Sequence, residues 1–427
     1  MTLRGTRFGK YNLLKRIAVG GMAEIFLARQ EGLEGFEKMI CIKRIRPHLS
    51  SQPNFVNMFL NEAKLAARLN HPNIAQIYDL GRINDSYFIA MEYISGRDMS
   101  RIIPKAQAHG IPFPMVYALK VAANVCDGLN YAHTKTDAYG NPLHIVHRDV
   151  TPENCLVGFN GTVKLVDFGI AKANTQLEET QAGELKGKLS YMSPEQAMGE
   201  PLDHRSDIFS LGAILYEWIT GARMFTGENE MAILKEIVDG HIYRPSYFNE
   251  NVPEPVEKIL MRALEKDREK RYQSAWDMQY DIDTYLASCE FTPSNIHLAN
   301  FLKQIFDDEI QEEQEQLLRL RQEEDIDESS AYDELVDEEV FELDAISGTI
   351  DRDPSLVGPK IEFPPALDDE GHSRTPVGQK RESSLSAKLV VHLNSNEISS
   401  LRDMAERHGM NADALVREWV RQQLRWA

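Results

Sequence analysis

The sequence predicts an α+β protein with two unequal lobes, a small β-rich one before a larger helical one, and a short separate module at its C-terminal end. Three observations predict it. Residues about 11 to 93 alternate strand-like runs around a single helical stretch, and residues about 98 to 288 are dominated by helical periodicity. A strongly acidic segment then separates both from a last structured stretch.

In the first part, Tyr11–Val19, Ile25–Arg29, Met39–Arg46 and Tyr87–Tyr93 read as strands. Between them Asn54–Leu69 reads as a helix, because Phe55, Phe59, Ala63, Ala66 and Ala67 recur at helical spacing. Val116–His133 and Ile208–Thr220 are the clearest helices of the second part. Asn295–Phe306 is amphipathic, with Leu298, Leu302, Ile305 and Phe306 on one face, and is expected to pack on the helical lobe or on a partner.

Of the net charge of −19, roughly sixteen negatives fall between Asp307 and Asp344, so the rest is nearly balanced and whole-chain charge says little about either folded part. Ser347–Ser386 is rich in Pro, Gly and Ser and reads as a disordered linker. Lys388–Leu393 then alternates polar and apolar residues. Asn394 and Glu397 give an N-cap signal for a helix through Ile398, Leu401 and Ala405, which Gly409 stops. Asn411 can cap a second helix with Leu415, Val416, Trp419, Val420 and Leu424 on its apolar face. The expected units are 8–288 (lobes 8–93 and 94–288), a helical extension 289–322, an acidic linker 323–385 and a module 386–427.

No apolar run reaches the roughly eighteen residues of a membrane span, and Met1–Lys10 lacks a secretory signal pattern. A cytoplasmic protein without a membrane partner is expected. Cys41, Cys126, Cys155 and Cys289 are scattered and form no C-x-x-C, so buried reduced thiols are expected rather than disulfides or a zinc site.

The chemistry concentrates in His147-Arg148-Asp149-Val150-Thr151-Pro152-Glu153-Asn154 and, shortly after, Asp167-Phe168-Gly169. With Ile40-Cys41-Ile42-Lys43, Glu62 on the Asn54–Leu69 helix, and Ser193-Pro194-Glu195, these motifs resemble, in family order, the eukaryotic-like Ser/Thr protein kinases of bacteria. The resemblance covers the first 288 residues and implies the bilobal protein kinase fold, ATP and Mg2+ as cofactors, and protein substrates that include the kinase itself.

By that resemblance, Lys43 holds the α and β phosphates and Glu62 pairs with it; a structural salt bridge is the other reading. Asp167 and Asn154 are the magnesium ligands, and Asp149 accepts the proton of the substrate hydroxyl. Ile17, Ala18, Gly20, Gly21 and Ile25 belong to the phosphate-covering loop, which keeps only the middle glycine of the family pattern. Ile25, Cys41 and Leu156 enclose adenine, with Met91, Glu92 and Ile94 in the hinge. Arg148 implies an activation loop ordered by phosphate, with Thr175 and Thr180 as candidates. Glu195 is expected to pair with Arg271, Asp207 to anchor the catalytic loop, and His147 and Phe168 to pack as core.

One departure stands out: Thr151 occupies the place where the family usually has lysine, and Lys188 the place of its usual threonine. The expectation is an exchange, with Lys188 supplying the ammonium and Thr151 the hydroxyl. A pseudokinase is the alternative, opposed by the presence of Lys43, Glu62, Asp149, Asn154 and Asp167.

Residues 386–424, a strand followed by two short helices, resemble the ribbon-helix-helix family of small dimeric DNA-binding proteins. The resemblance implies a homodimer through 386–427, since about forty residues make a poor monomeric core. It also implies contact with double-stranded DNA through Lys388, Val390 and His392. A DNA-bound transcriptional regulator with a kinase-shaped signalling domain is therefore the second function considered, and a plain dimerisation clip the simpler one.

Overall fold

A computed structural model describes residues 6–32, 36–83, 86–169 and 187–334, with 341–342 and 390–391. The chain divides after Arg321 into two compact units. Among the described residues no helix is long and apolar enough to cross a membrane.

The first unit opens with a six-stranded antiparallel sheet. Its strands are β1 (Thr6–Phe8), β2 (Tyr11–Val19), β3 (Ala23–Glu31), β4 (Glu37–Ile45), β5 (Ile77–Ile83) and β6 (Ser86–Glu92), in the order β1-β2-β3-β4-β6-β5. Alternation along the strands gives the sheet two apolar faces. One buries Tyr11, Leu13, Phe26, Ile40, Ile42 and Phe88. The other buries Ala23, Ile45 and Ile89 beneath Val56, Phe59 and Ala63 of α1 (Pro53–Ala66). Because Glu62 adjoins Ala63 on that helix, the packing that seats α1 also turns this carboxylate toward β4. The expected strands and helix are thus found, while β1 and β5 are additional.

A short hairpin layer, β7 (Gly96–Asp98), β8 (Cys155–Gly158) and β9 (Val163–Leu165), joins the sheet lobe to the helices. Gly96 is required there: a Cβ would sit 2.2 Å from the carbonyl oxygen of Val157. The helical lobe comprises α2 (Met99–Ala108), α3 (Met115–His133), α4 (Arg205–Thr220), α5 (Glu230–Asp239), α6 (Glu254–Ala263) and α7 (Ala275–Ser288). α4 is its axis; from Ser206 to Ile219 every residue except Glu217 is buried. Cys41, Cys126 and Cys155 are buried free thiols as expected, whereas the free thiol of Cys289 is only half-buried.

α8 (Asn295–Glu334) is longer than the amphipathic segment the sequence marks. Its first three turns bury Leu298, Phe301, Leu302, Ile305 and Phe306 in the helical lobe's core, with Phe301 edge-on to Phe113 and Tyr117. Its start lies so close to the β8–β9 turn that a Cβ on Gly161 (φ +79°) would meet the carbonyl oxygen of Asn295. At Phe306 the backbone departs from helical angles, and the helix then continues through the acidic residues.

In the second unit Phe341–Glu342 pairs antiparallel with Val390–Val391. Of the strand expected at 388–393, Val390–Val391 is described, and its neighbour comes from the same chain. Lys388, His392 and the two helices expected after them lie outside the described residues, as do Thr175 and Thr180.

Candidate active site

β4 is central in its sheet, and its alternation places Cys41 and Lys43 on one face, opposite Met91 and Ile89 of β6. Lys43 Nζ donates to Glu62 Oε1 at 3.0 Å and to Asp167 Oδ1 at 2.9 Å, joining the sheet lobe, α1 and the helical lobe at one ammonium. Burial works against the lysine's charge, but Asp167 and Glu62 outweigh it and raise its pKa. Glu62 is also shifted upward, by burial and by the Asp167 and Asp149 charges, against the pull of Lys43. These two shifts describe one ammonium shared among several carboxylates. The cluster therefore carries excess negative charge, an environment that favours a cation. Behind it a cavity is lined by Glu62, Ala66, Ile89, Leu165 and Phe168.

The catalytic loop is fixed from below by α4. Both oxygens of the buried Asp207 carboxylate are used: the His147 and Arg148 backbone N–H groups donate to Oδ2 and Oδ1, each at 2.8 Å. His133 Nε2 lies 2.8 Å from Oδ2 as well. These bonds hold Arg148 in a left-handed conformation (φ +66°), which a non-glycine residue adopts only under constraint. The Arg148 carbonyl accepts from Gln196 Nε2 at 3.0 Å. His147 packs against Phe168 with ring centroids 4.5 Å apart and the rings tilted by 44°, accepts from the Asp149 N–H at Nδ1 and lies 3.1 Å from the Val166 carbonyl at Nε2. Burial lowers its pKa, so it is a neutral packing residue, as the sequence implied.

Asn154 Nδ2 donates to the Asp149 carbonyl at 2.7 Å and to Asp149 Oδ2 at 3.1 Å, which leaves its Oδ1 available. Asp167 also has a positive φ, +54°. These two hard oxygen donors fit Mg2+, which takes few protein ligands and completes its shell with phosphate oxygens and water. Among the described residues no cluster of three or more His, Cys, Asp or Glu offers a competing metal site.

The loop between β2 and β3 closes tightly, Gly20 N donating to the Ala23 carbonyl at 2.8 Å. Neither Gly20 nor Gly21 uses a positive φ, and Ala18 and Ala23 lie in ordinary strands. The alanines that replace two family glycines therefore cost no backbone strain. Ile17 is exposed, while Ile25 of β3, Met91 of β6, Ile94 and Leu156 of β8 are half-buried. In the hinge, Glu92 accepts from Lys164 Nζ at 2.8 Å and from the Gln76 N–H at 3.1 Å.

The predicted pair of Glu195 and Arg271 is present as a two-bonded, buried bridge with distances of 2.8 and 3.2 Å. Thr151 is 2% exposed, and among the described residues its hydroxyl has no hydrogen-bond partner. Lys188 is half-buried on the short helical segment 187–189, and no hydrogen bond joins it to that hydroxyl. Sequence reasoning did not find His133, Gln196 or Lys164. Their partners lie 74, 48 and 72 residues away, and no local pattern marks such contacts.

A shared ammonium, an anchored carboxylate and two hard oxygen donors between a twisted sheet and a helical lobe define a class, the bilobal phosphoryl-transfer fold. Residues 11–280 match the family described as Protein kinase domain, and the chain belongs to that family. It is 43% identical over 304 residues to Tyrosine-protein kinase MasK of Myxococcus xanthus, covering 71% of this chain and 47% of that one. It is 36% identical over 276 residues to Serine/threonine-protein kinase PrkC of Bacillus subtilis, covering 65% and 40%. Against Serine/threonine-protein kinase PknB of Mycobacterium leprae it is 35% identical over 278 residues, covering 64% and 42%. The chain thus spans less than half the length of these relatives. The crystal structure of the Mycobacterium tuberculosis PknI kinase domain superposes with a TM-score of 0.50 at 24% identity, covering 66% of this chain and 99% of that one, which shows the shared fold.

Proposed function

We propose that this chain is an ATP-dependent protein kinase that phosphorylates serine and threonine hydroxyls, its own activation segment among them. The observation that carries this reading is the three-way contact of Lys43 with Glu62 and Asp167, beside an Asp149 whose loop is held by Asp207. Lys43 is placed to bind phosphate oxygens, with Glu62 holding its ammonium in position. Asp149 orients the acceptor hydroxyl and takes its proton, while Asn154 braces the Asp149 carboxylate. When bound at Asp167 and Asn154, Mg2+ neutralises charge on the phosphates.

Thr151 and Lys188 act in this reading as a pair that exchanges the usual lysine and threonine. Support comes from the buried Thr151 hydroxyl, which has no partner among the described residues and so has a bond to give to a substrate group. If Lys188→Ala transferred phosphate at the wild-type rate while Asp149→Ala did not, the exchange idea would fail. Thr175 and Thr180, with Arg148 as the phosphate's partner, are the proposed regulatory sites. For 386–427 the proposal is homodimerisation, with Lys388, Val390 and His392 as a DNA-facing set; its support is the sequence resemblance. A mobility shift at low salt with the full chain tests the DNA part, and sedimentation tests the dimer.

Tyrosine is the second acceptor to consider, because the 43%-identical relative carries that name. Phosphoamino-acid analysis after transfer to a mixed protein substrate separates the two. Phosphoserine and phosphothreonine support the proposal, and phosphotyrosine alone overturns its specificity.

A further inference from the structure

α8 leaves the helical lobe at Phe306 and runs about 15 Å further to residue 316 at the usual helical rise. Along that stretch three of its side chains make contacts in sequence. Glu309 accepts from Lys105 Nζ of α2 at 2.8 Å and lies 3.5 Å from Arg97. Glu313 lies 3.3 Å from Arg97, whose guanidinium also stands over the Phe159 and Phe306 rings at 5.1 and 5.7 Å. Gln316 Oε1 accepts from Lys15 Nζ at 2.8 Å. Arg97 is in β7, directly after the hinge, and Lys15 is in β2, the strand that ends in the phosphate-covering loop. One helix rooted in the helical lobe therefore touches the hinge exit and then the sheet lobe.

We propose that Glu309, Glu313 and Gln316 are positioning residues for the nucleotide, holding β2 and the hinge at the spacing from Asp167 and Asn154 that nucleotide binding requires. They act through Arg97 and Lys15 and touch no reacting atom. These contacts are polar and partly solvated, so they can yield and re-form as the lobes open, unlike the apolar anchor at Phe301 to Phe306. The hinge also senses the helix electrostatically: burial and then the Glu313 carboxylate push the Tyr93 phenol up to about 12. The effect falls on nucleotide affinity rather than on the chemical step, because the residues around Asp149 are held independently by Asp207.

This inference rests on the kinase reading, and its test separates the two. In the full-length chain, the ATP KM, the kcat and the dissociation constant of a fluorescent ADP with Mg2+ are measured for Glu309→Ala with Glu313→Ala, and for Gln316→Lys. Partly exposed contacts of this kind predict a rise of about fivefold in KM and dissociation constant for the double variant and about threefold for Gln316→Lys, with kcat within about twofold of wild type. Adding Lys15→Glu to Gln316→Lys rebuilds the contact as an ion pair with the cation on the helix and restores wild-type affinity. Unchanged nucleotide affinity in both variants, or no rescue by Lys15→Glu, overturns the proposal. Absence of any phosphate transfer by the wild-type chain would instead overturn the kinase reading, while the ADP titration would still test the helix.

Discussion

Lys43 Nζ and Asp167 Oδ1 are 2.9 Å apart across 124 residues of sequence, and this contact ties the sheet lobe to the loop that would hold the metal. Since Glu62 shares the same ammonium, three elements must be in register for the site to exist. Lys43→Met should lower phosphotransfer by roughly a hundredfold or more, because it removes the buried positive charge aimed at the phosphates. Initial rates with labelled ATP check this, with a thermal melt to confirm folding. Glu62→Gln should produce a smaller loss of the same kind, since the amide still accepts one hydrogen bond.

Asp167 and Asn154 supply the hard oxygens. Asp167→Asn should shift the Mg2+ concentration for half-maximal rate upward by about tenfold or more, because a neutral amide is a poorer ligand for a hard cation. A magnesium titration at fixed ATP reads it.

The Arg271 guanidinium is wholly buried against Glu195, with further bonds to the carbonyls of Arg205 and Glu265. Arg271→Ala should destabilise the protein by about 3–5 kcal/mol, by leaving the Glu195 charge buried and unpaired. Urea unfolding at neutral pH measures it.

The same pair sets an acid dependence. Burial alone would raise the Glu195 pKa, but the hydrogen bonds and charge of Arg271 prevail and lower it below the usual carboxylate value. A depressed pKa in the folded state means that its contribution is complete above the ordinary glutamate range and drains away as pH falls through that range toward the folded value. Wild type should therefore lose stability below about pH 4.5 more steeply than Glu195→Gln, whose curve lacks that titration. Urea midpoints from pH 6 to pH 3 make the comparison.

Thr151 separates structure from function. Thr151→Val removes a buried hydroxyl that has no partner among the described residues while keeping its shape, so stability should hold or rise by up to about 1 kcal/mol. If the hydroxyl serves the substrate, kcat/KM for the protein acceptor should nevertheless fall by about tenfold. Unfolding and steady-state kinetics on one preparation give both values.

What the sequence made legible follows from how locally each feature is specified. The loop from His147 to Asn154 and the strand of Lys43 carry their residues at fixed short spacings, so the sequence alone marks them as candidates. β5 escaped because Asp79, Gly81 and Arg82 break its alternation, and as the sheet's edge strand it buries none of its residues. The helical extension expected to end at 322 instead continues through the acidic residues to Glu334. Arg97 and Lys105 offset that charge, and glutamate, glutamine and leucine are good helix formers. The contact of Gln316 with Lys15 spans 301 residues and leaves no mark on either segment.

The most direct test of the account is incubation of the full chain and its Asp149→Ala variant with ATP and Mg2+, followed by mass-spectrometric mapping of phosphate. The account predicts phosphate on Thr175 or Thr180 of the wild-type chain and none on the variant. A wild-type chain that binds nucleotide yet transfers no phosphate to itself or to any protein hydroxyl would contradict it.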